Sequence, residues 1–399
     1  MSPAPPGRPP KSAAGDAYDD VLPELAPRTP LPRARTVPSA WFVEPRFDRL
    51  DRAAVFGRTW QLVGHQSELG APGSWITAEV AGEPVIVVRG TDDVLRGFFN
   101  VCRHRGGPLA TAAGCGKVLK CRYHGWTYTL EGTLRGVPQW DRVELFDRRD
   151  YGLVPLHVAS WRNLVFVNLD DGPEPLADLL DEITARTEPL GLETLTHAAR
   201  TFYDVRSNWK VYVENFLEGY HVPIVHPELV RLYDYAGYET EVRPNFTLQR
   251  SPLVPTDHAY APGGGEALYY CVFPNFMLNI LPGRLQTNLV VPTGPESCRV
   301  VFDYFYDDLE SEAGRGRAEA DMAFADAVQA EDVDICERVQ RGLGSRAYDR
   351  GRFSVKFEAG VHWFQTRLCE AYGEWLEHPA WPPAASTLDP RHEPADTET

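Results

Sequence analysis

The chain has 399 residues, with 40 Lys plus Arg against 56 Asp plus Glu, a formal net charge of −16. That balance argues against nucleic acid as a main partner, because phosphate binding needs clustered cations, and against a polybasic membrane anchor. Hydrophobic residues make up 43% and charged residues 24%, as in ordinary globular chains, and no stretch approaches the ~20 apolar residues of a membrane helix.

Residues 1–38 mix Pro, Ala, Arg and Asp without periodicity and hold no apolar signal core, so they are predicted to be a disordered tail rather than a secretory leader. Seven cysteines form a sparse, odd set that suits metal binding or free thiols better than a disulfide scaffold. A cytoplasmic protein is the expectation. A short helix is predicted between 41 and 64, through Phe47, Leu50, Ala54 and Trp60. From about 72 to 170, short runs such as SWITAEV, EPVIVVRG and NLVFVNL alternate with Gly, Pro and Asp, which predicts a small antiparallel β domain that joins the preceding helix in one unit over 39–170. Residues 171–379 change character. A helical stretch (LADLLDEITARTEPL), a strand (AARTFYDVRS), a helix (NWKVYVENFLEGYH), a strand-rich block over about 267–307 and a long helix over about 316–342 predict an α+β domain. Residues 380–399 read as a second tail.

Two constellations carry chemistry. Cys102-Arg103-His104 is followed by Cys121-Arg122-Tyr123-His124, each beside glycines that permit a turn. Two loops that each bring a thiolate and an imidazole can build a tetrahedral zinc site or a Rieske [2Fe–2S] centre. The alternation C-x-H and C-x₂-H, rather than paired Cys or paired His, favours two irons. Cys115 reads as a spare thiol.

The second constellation is His221 and His226. Five residues apart, they lie about 140° apart on a continuing helix, but Pro223 and Pro227 make continuation unfavourable. The chain is predicted to leave the helix near His221, so that both imidazoles converge and one carboxylate completes a 2-His-1-carboxylate site for Fe(II). That carboxylate is expected in the long helix. On a wheel of about 100° per residue, Phe324, Val328, Ile335 and Val339 form an apolar stripe centred near ~30°. Glu331 and Asp332 flank it equally, and Asp334 points away. Glu218 precedes His221 by three residues, so it can hydrogen-bond that ring.

Both constellations together resemble the α subunits of Rieske non-haem iron oxygenases. The similarity runs over most of residues 40–370, and EDVDICERVQRGL with GRFSVKFEAGVHWF looks most like the choline, carnitine and glycine-betaine monooxygenase branch. The resemblance implies an α+β fold with a Rieske antiparallel β domain and a helix-grip catalytic domain. It implies a cluster on Cys102, His104, Cys121 and His124, and a mononuclear Fe(II) on His221, His226 and Asp332, which breaks the tie against Glu331. It also implies that Glu218 bridges to the Rieske histidine of a neighbour in a ring-shaped homotrimer, and that Asn208 sits beside the iron.

No G-x-G-x-x-G fingerprint follows a strand, so NAD(P)H is expected to act only through a separate flavin or iron–sulfur reductase. The expected reaction uses O₂ to hydroxylate a carbon next to nitrogen in a quaternary ammonium compound. Oxidation of an aromatic substrate by the same metals is the alternative, and a Rieske electron carrier without oxygenase chemistry is the reading from another class. Aromatic faces attract such a cation. Tyr270, Phe273, Phe276, Trp363 and Phe364 are the expected pocket residues.

Overall fold

The computed structural model describes residues 18, 20, 21, 29–261 and 263–378. The tail expected over 380–399, and 1–17, 19 and 22–28 of the N-terminal one, lie outside them.

The first sheet is antiparallel and seven-stranded, in the order β1-β10-β9-β4-β3-β2-β5. It comprises β1 (Gln61–His65), β2 (Ser74–Val80), β3 (Glu83–Arg89), β4 (Leu95–Phe99), β5 (Gly114–Cys115), β9 (Pro155–Trp161) and β10 (Leu164–Asn168). A small three-stranded sheet of β6 (Leu119–Lys120), β7 (Thr127–Tyr128) and β8 (Leu134–Gly136) stands beside it. Ile86, Val88 and Phe98 from the larger sheet pack against Leu119, Trp126, Tyr128 and Leu134. That core fixes the loops carrying the two Cys–His pairs.

The second half is a seven-stranded antiparallel sheet ordered β11-β17-β16-β15-β14-β13-β12. Its strands are β11 (Thr196–Val205), β12 (Glu239–Val242), β13 (Phe246–Leu253), β14 (Gly265–Val272), β15 (Phe276–Leu281), β16 (Arg284–Gly294) and β17 (Ser297–Tyr306). Between β11 and β12 come α1 (Trp209–Phe216) and α2 (Val222–Val225), and after β17 come α3 (Glu312–Leu343) and α4 (Ala359–Glu377). Side chains alternate across the sheet, as strand geometry requires. On β15, Phe276, Leu278 and Ile280 enter a core shared with Leu62, Trp161 and Phe166 of the first half. Met277 enters the opposite core, which holds Trp209, Ala318, Ala325, Cys336 and Phe364 from α1, α3 and α4. The fold is thus the expected α+β pair of an antiparallel β domain and a helix-gripped sheet.

Several local expectations differ. The helical segment near the N-terminus was expected with the β domain. Instead Ala40–Val43, Pro45–Leu50 and the turn to Phe56 bury Trp41, Phe47 and Val55 in the core of the second half. Asp51 anchors that strap: it is 1% exposed, pairs with the buried Lys210 and accepts from Trp209 Nε1 at 2.8 Å. Residues 29–38, expected in the disordered tail, are laid against the chain after α3. Gly351 N–H donates to Thr36 Oγ1 at 2.8 Å, and Val37 N–H to Gln365 Oε1 at 2.8 Å. The helix α1 also ends early, at Phe216 rather than near His221. The carboxylate of Glu218 takes the N–H groups of Tyr220 and His221, which turns the backbone before α2 begins. β12, β13 and α4 are additional elements.

Candidate metal centres

Each Cys–His pair sits in a loop of the same build. Gly106 N–H donates to Cys102 O at 3.0 Å, and Gly125 N–H donates to Cys121 O at 3.0 Å. Both glycines are left-handed, with φ of +74° and +76°, where a Cβ is strained. The loops therefore close through backbone alone and aim two sulfurs inward: Cys102 and Cys121 are each 2% exposed. Tyr128 Oη accepts from Arg103 N–H at 3.0 Å, which leaves its own proton for Cys102 Sγ, 3.4 Å away. The rings of His104 and His124 lie 4.6 Å apart at 74°. His104 stacks on Trp126 at 4.9 Å, and His124 is exposed. Buried thiols behind surface imidazoles suit a cluster with sulfur ligands on one iron and nitrogen ligands on the other. None of the seven cysteines is in a disulfide, and Cys115 is exposed, so no disulfide braces the loops.

The other centre is assembled by side chains from α2's two ends and α3. His221 caps the start of α2 and His226 its end, so the single helical turn between them folds both rings back, 5.1 Å apart. Pro223 is accommodated in the first turn, where its missing N–H costs nothing. Asp332 Oδ1 lies 3.0 Å from His226 Nε2 and 3.7 Å from His221 Nε2. Among the described residues these three form the one group of His, Cys, Asp and Glu whose ligand atoms all fall within 4.8 Å of one another. Both rings are held from behind. Glu218 Oε1 is 2.7 Å from His221 Nδ1, and Glu331 Oε2 is 2.7 Å from His226 Nδ1. A carboxylate on Nδ1 fixes the tautomer and leaves Nε2 for a metal. Burial opposes the imidazolium of His226, but Asp332 and Glu331 outweigh it and raise its pKa above the ordinary histidine value. Two neutral imidazoles and one carboxylate fit Fe(II) with open positions.

The tie between Glu331 and Asp332 is resolved by a face that the apolar stripe does not mark. The buried side of α3 runs through Ala318, Asp321, Ala325, Gln329, Cys336 and Gln340. That face is rotated roughly 90° from the predicted stripe, which turns Asp332 inward and leaves Glu331 at the flank. Val339, expected in the stripe, is 44% exposed.

A cavity of about 120 Å³ opens on this group. Tyr212, Phe216, Tyr233, Tyr238, Tyr260 and Tyr269 supply its aromatic walls. None of the five expected pocket residues lines it. Tyr270 and Phe276 point into the core on the other side of the sheet, and Phe273, Trp363 and Phe364 pack together under α4. On β14 the error is one residue: Tyr269 faces the cavity, so Tyr270 cannot. Asn208 is also displaced from its expected place beside the iron. It caps α1, accepting from Lys210 N–H at 3.0 Å and donating to Pro295 O at 2.6 Å. The amide beside Asp332 is Asn215, which donates to Asp332 Oδ1 at 2.7 Å. Asn215 lies two turns along α1 on the cavity side, a helical-phase signal present in the sequence and not read.

Residues 59–147 match the family model described as Rieske [2Fe-2S] domain, and residues 192–374 match ring hydroxylating alpha subunit (catalytic domain). The chain is 34% identical over 367 residues to a chloroplastic choline monooxygenase of Arabidopsis thaliana, covering 87% of this chain and 85% of that one. It is 31% identical over 370 residues to a carnitine monooxygenase oxygenase subunit of Escherichia coli (strain K12), covering 89% and 98%. The solved structure of a quaternary ammonium Rieske monooxygenase in complex with L-carnitine is 30% identical, covers 85% of this chain and 96% of its own, and has a TM-score of 0.75.

Proposed function

Because the chain belongs to the family of Rieske-type ring-hydroxylating oxygenase α subunits, we propose that it hydroxylates a carbon within two bonds of the nitrogen in a quaternary ammonium compound. On a choline-type alcohol the carbon attacked is the carbinol carbon, two bonds from nitrogen, and the product is an aldehyde hydrate. On an N-methyl betaine it is a hemiaminal that releases formaldehyde.

The observation that carries this reading is the cavity itself. Its walls are rich in tyrosine, its ionisable lining besides tyrosine consists of Glu218, Asp332 and the two histidines, and no Lys or Arg lines it among the described residues. Aromatic faces and carboxylates both attract a cation that cannot donate a hydrogen bond.

Cys102, His104, Cys121 and His124 would hold the cluster, and His221, His226 and Asp332 the mononuclear iron. When bound, the cluster supplies one electron and the iron activates O₂. The protein's own part is to bind and orient the cation, exclude water from the tyrosine-lined space, and fix the two imidazoles through Glu218 and Glu331. Glu218 is also the residue that would face a neighbour's Rieske histidine in a homotrimer. Electrons would come from a separate reductase. The cluster half would end near residue 170 and the iron half run over 171–379, with the strap of residues 40–56 packed on the latter. No described helix is long and apolar enough to cross a membrane.

A single turnover tests the reading without the reductase. Iron-loaded protein is reduced chemically, freed of reductant and exposed to O₂ with choline, glycine betaine, carnitine, proline betaine and aromatic acids, and mass spectrometry reads the products. A hydroxylated or demethylated ammonium product supports the reading. Oxidation of an aromatic acid alone contradicts it.

A further inference from the structure

We propose that Asn279 and Gln329 form a recognition site for the uncharged hydroxyl end of a quaternary ammonium alcohol, and that the same cavity rejects ammonium compounds carrying a carboxylate. This rests on the reading above and narrows its substrate class.

One part of the cavity wall is neither aromatic nor metal-binding. Asn279 on β15 and Gln286 and Asn288 on β16 project from the same sheet face, with Asn279 directly paired to Gln286 across the two strands. Gln329 meets them from α3, one turn before Asp332. Most of these amide groups are committed. Arg284 donates to Gln286 Oε1 at 2.8 Å, and Gln286 Nε2 donates to Asn288 Oδ1 at 2.7 Å. Gln329 Oε1 accepts from Tyr212 Oη at 2.6 Å.

Two polar atoms are left over. Asn279 Oδ1 and Gln329 Nε2 are buried without a hydrogen-bond partner, in side chains 9% and 2% exposed. One is an acceptor and the other a donor. A buried polar atom without a partner is costly to desolvate, so such a pair in a cavity wall favours a ligand that supplies both complements. A hydroxyl does so: its proton goes to Asn279 Oδ1, and its lone pair takes the N–H of Gln329. A carboxylate can accept from Gln329 but has no proton for Asn279.

Charge argues the same way. The guanidinium that joins this amide network, Arg284, does not line the cavity, and both of its Nη groups are committed, with only Nε unpartnered. It is 4% exposed, donates to Asp321 at 2.5 Å, and lies over the Tyr260 ring at 4.7 Å, behind the cavity wall. Around the histidines stand Asp332, Glu218 and Glu331, three carboxylates against the two charges of Fe(II). A betaine's carboxylate entering here would be desolvated with no cation to pair it, and an unpaired buried charge is strongly disfavoured.

The test is calorimetric binding to the iron-loaded protein of four probes: choline, its O-methyl ether, glycine betaine and carnitine. Choline is expected to bind on the order of 100-fold more tightly than either carboxylate, carnitine included although it carries a hydroxyl. The ether, which cannot donate, is expected to bind about tenfold more weakly than choline. Asn279→Leu should raise the Kd of choline about tenfold and leave that of the ether unchanged. Carnitine or glycine betaine binding as well as choline would overturn the proposal while leaving the quaternary ammonium reading intact. Failure of all four to bind, with an aromatic acid oxidised in the single turnover, would overturn both. An ether Kd equal to choline's would remove the hydroxyl contact.

Discussion

At the Cys102–Cys121 centre the ligands hang from two loops that close on themselves through backbone. The hydrogen bond from a glycine N–H to the cysteine carbonyl four residues earlier recurs in both, and so does the left-handed glycine. At the His221–His226–Asp332 centre the backbone supplies only a single helical turn. The rings are oriented by carboxylates from α3 and from the turn before α2, at 2.7 Å each. The first arrangement is insensitive to most side-chain changes but not to a Cβ at its turns. The second depends on individual side chains that themselves carry charge. The difference suits their tasks: a cluster that only passes electrons needs a fixed frame, while an iron that binds O₂ beside a substrate needs ligands tuned from behind.

Substitutions should separate the two designs. Asp332→Ala is expected to abolish turnover entirely while leaving the visible absorbance of the cluster unchanged. Residual turnover would move the ligand role to Glu331. Gly125→Val should do the reverse. A side chain at φ +76° is strained, and its Cβ would meet Pro138 Cγ at 3.2 Å. Cluster absorbance is expected to be lost, with mononuclear iron retained after reconstitution, as read by iron-to-sulfide analysis.

Smaller effects follow from the carboxylates behind the rings. Glu331→Ala should weaken Fe(II) binding roughly 10–100-fold, measured by competition with a chelator. Glu218→Gln still offers an acceptor to His221, so both metals should stay. Its expected effect is slower oxidation of the reduced cluster when substrate and O₂ are added, and a normal rate would remove the bridging role.

The smallest effect concerns Glu214 on α1. Burial pushes its carboxyl up to about 8, against the hydrogen bond from Gln365 and the charge of Lys210. A carboxyl raised in the folded state binds more protons there than when unfolded, so stability falls as pH rises from the ordinary carboxylate range through about 8. Glu214→Gln keeps the acceptor for Gln365 and should flatten that fall, as read by thermal unfolding between mildly acidic and mildly alkaline pH.

The candidate metal ligands that the structure brings together were legible in the sequence because their chemistry is written in residue types: Cys and His at short spacing with glycines beside them have few other uses. The carboxylate was harder. α3 turns Ala318, Asp321, Gln329 and Cys336 inward, a face made polar by the site it lines, so the most apolar stripe pointed elsewhere. The cavity was hardest. In Tyr269-Tyr270 two adjacent tyrosines face opposite sides of one strand, and only the register with β13 and β15 decides which one lines the cavity. Asn208 was expected beside the iron, yet it caps α1, and its neighbours Trp209 and Lys210 bind Asp51. The allegiance of residues 40–56 was hidden for the same reason: a buried Lys–Asp pair joins segments far apart in the chain.

Iron and acid-labile sulfide per chain, measured side by side in the wild-type protein and in Asp332→Ala, test the two-centre assignment most directly. The wild type is expected to hold three irons and two sulfides, and Asp332→Ala two of each, with the reduced cluster's magnetic resonance spectrum the same in both. Two irons in the wild type, or three in Asp332→Ala, would contradict it.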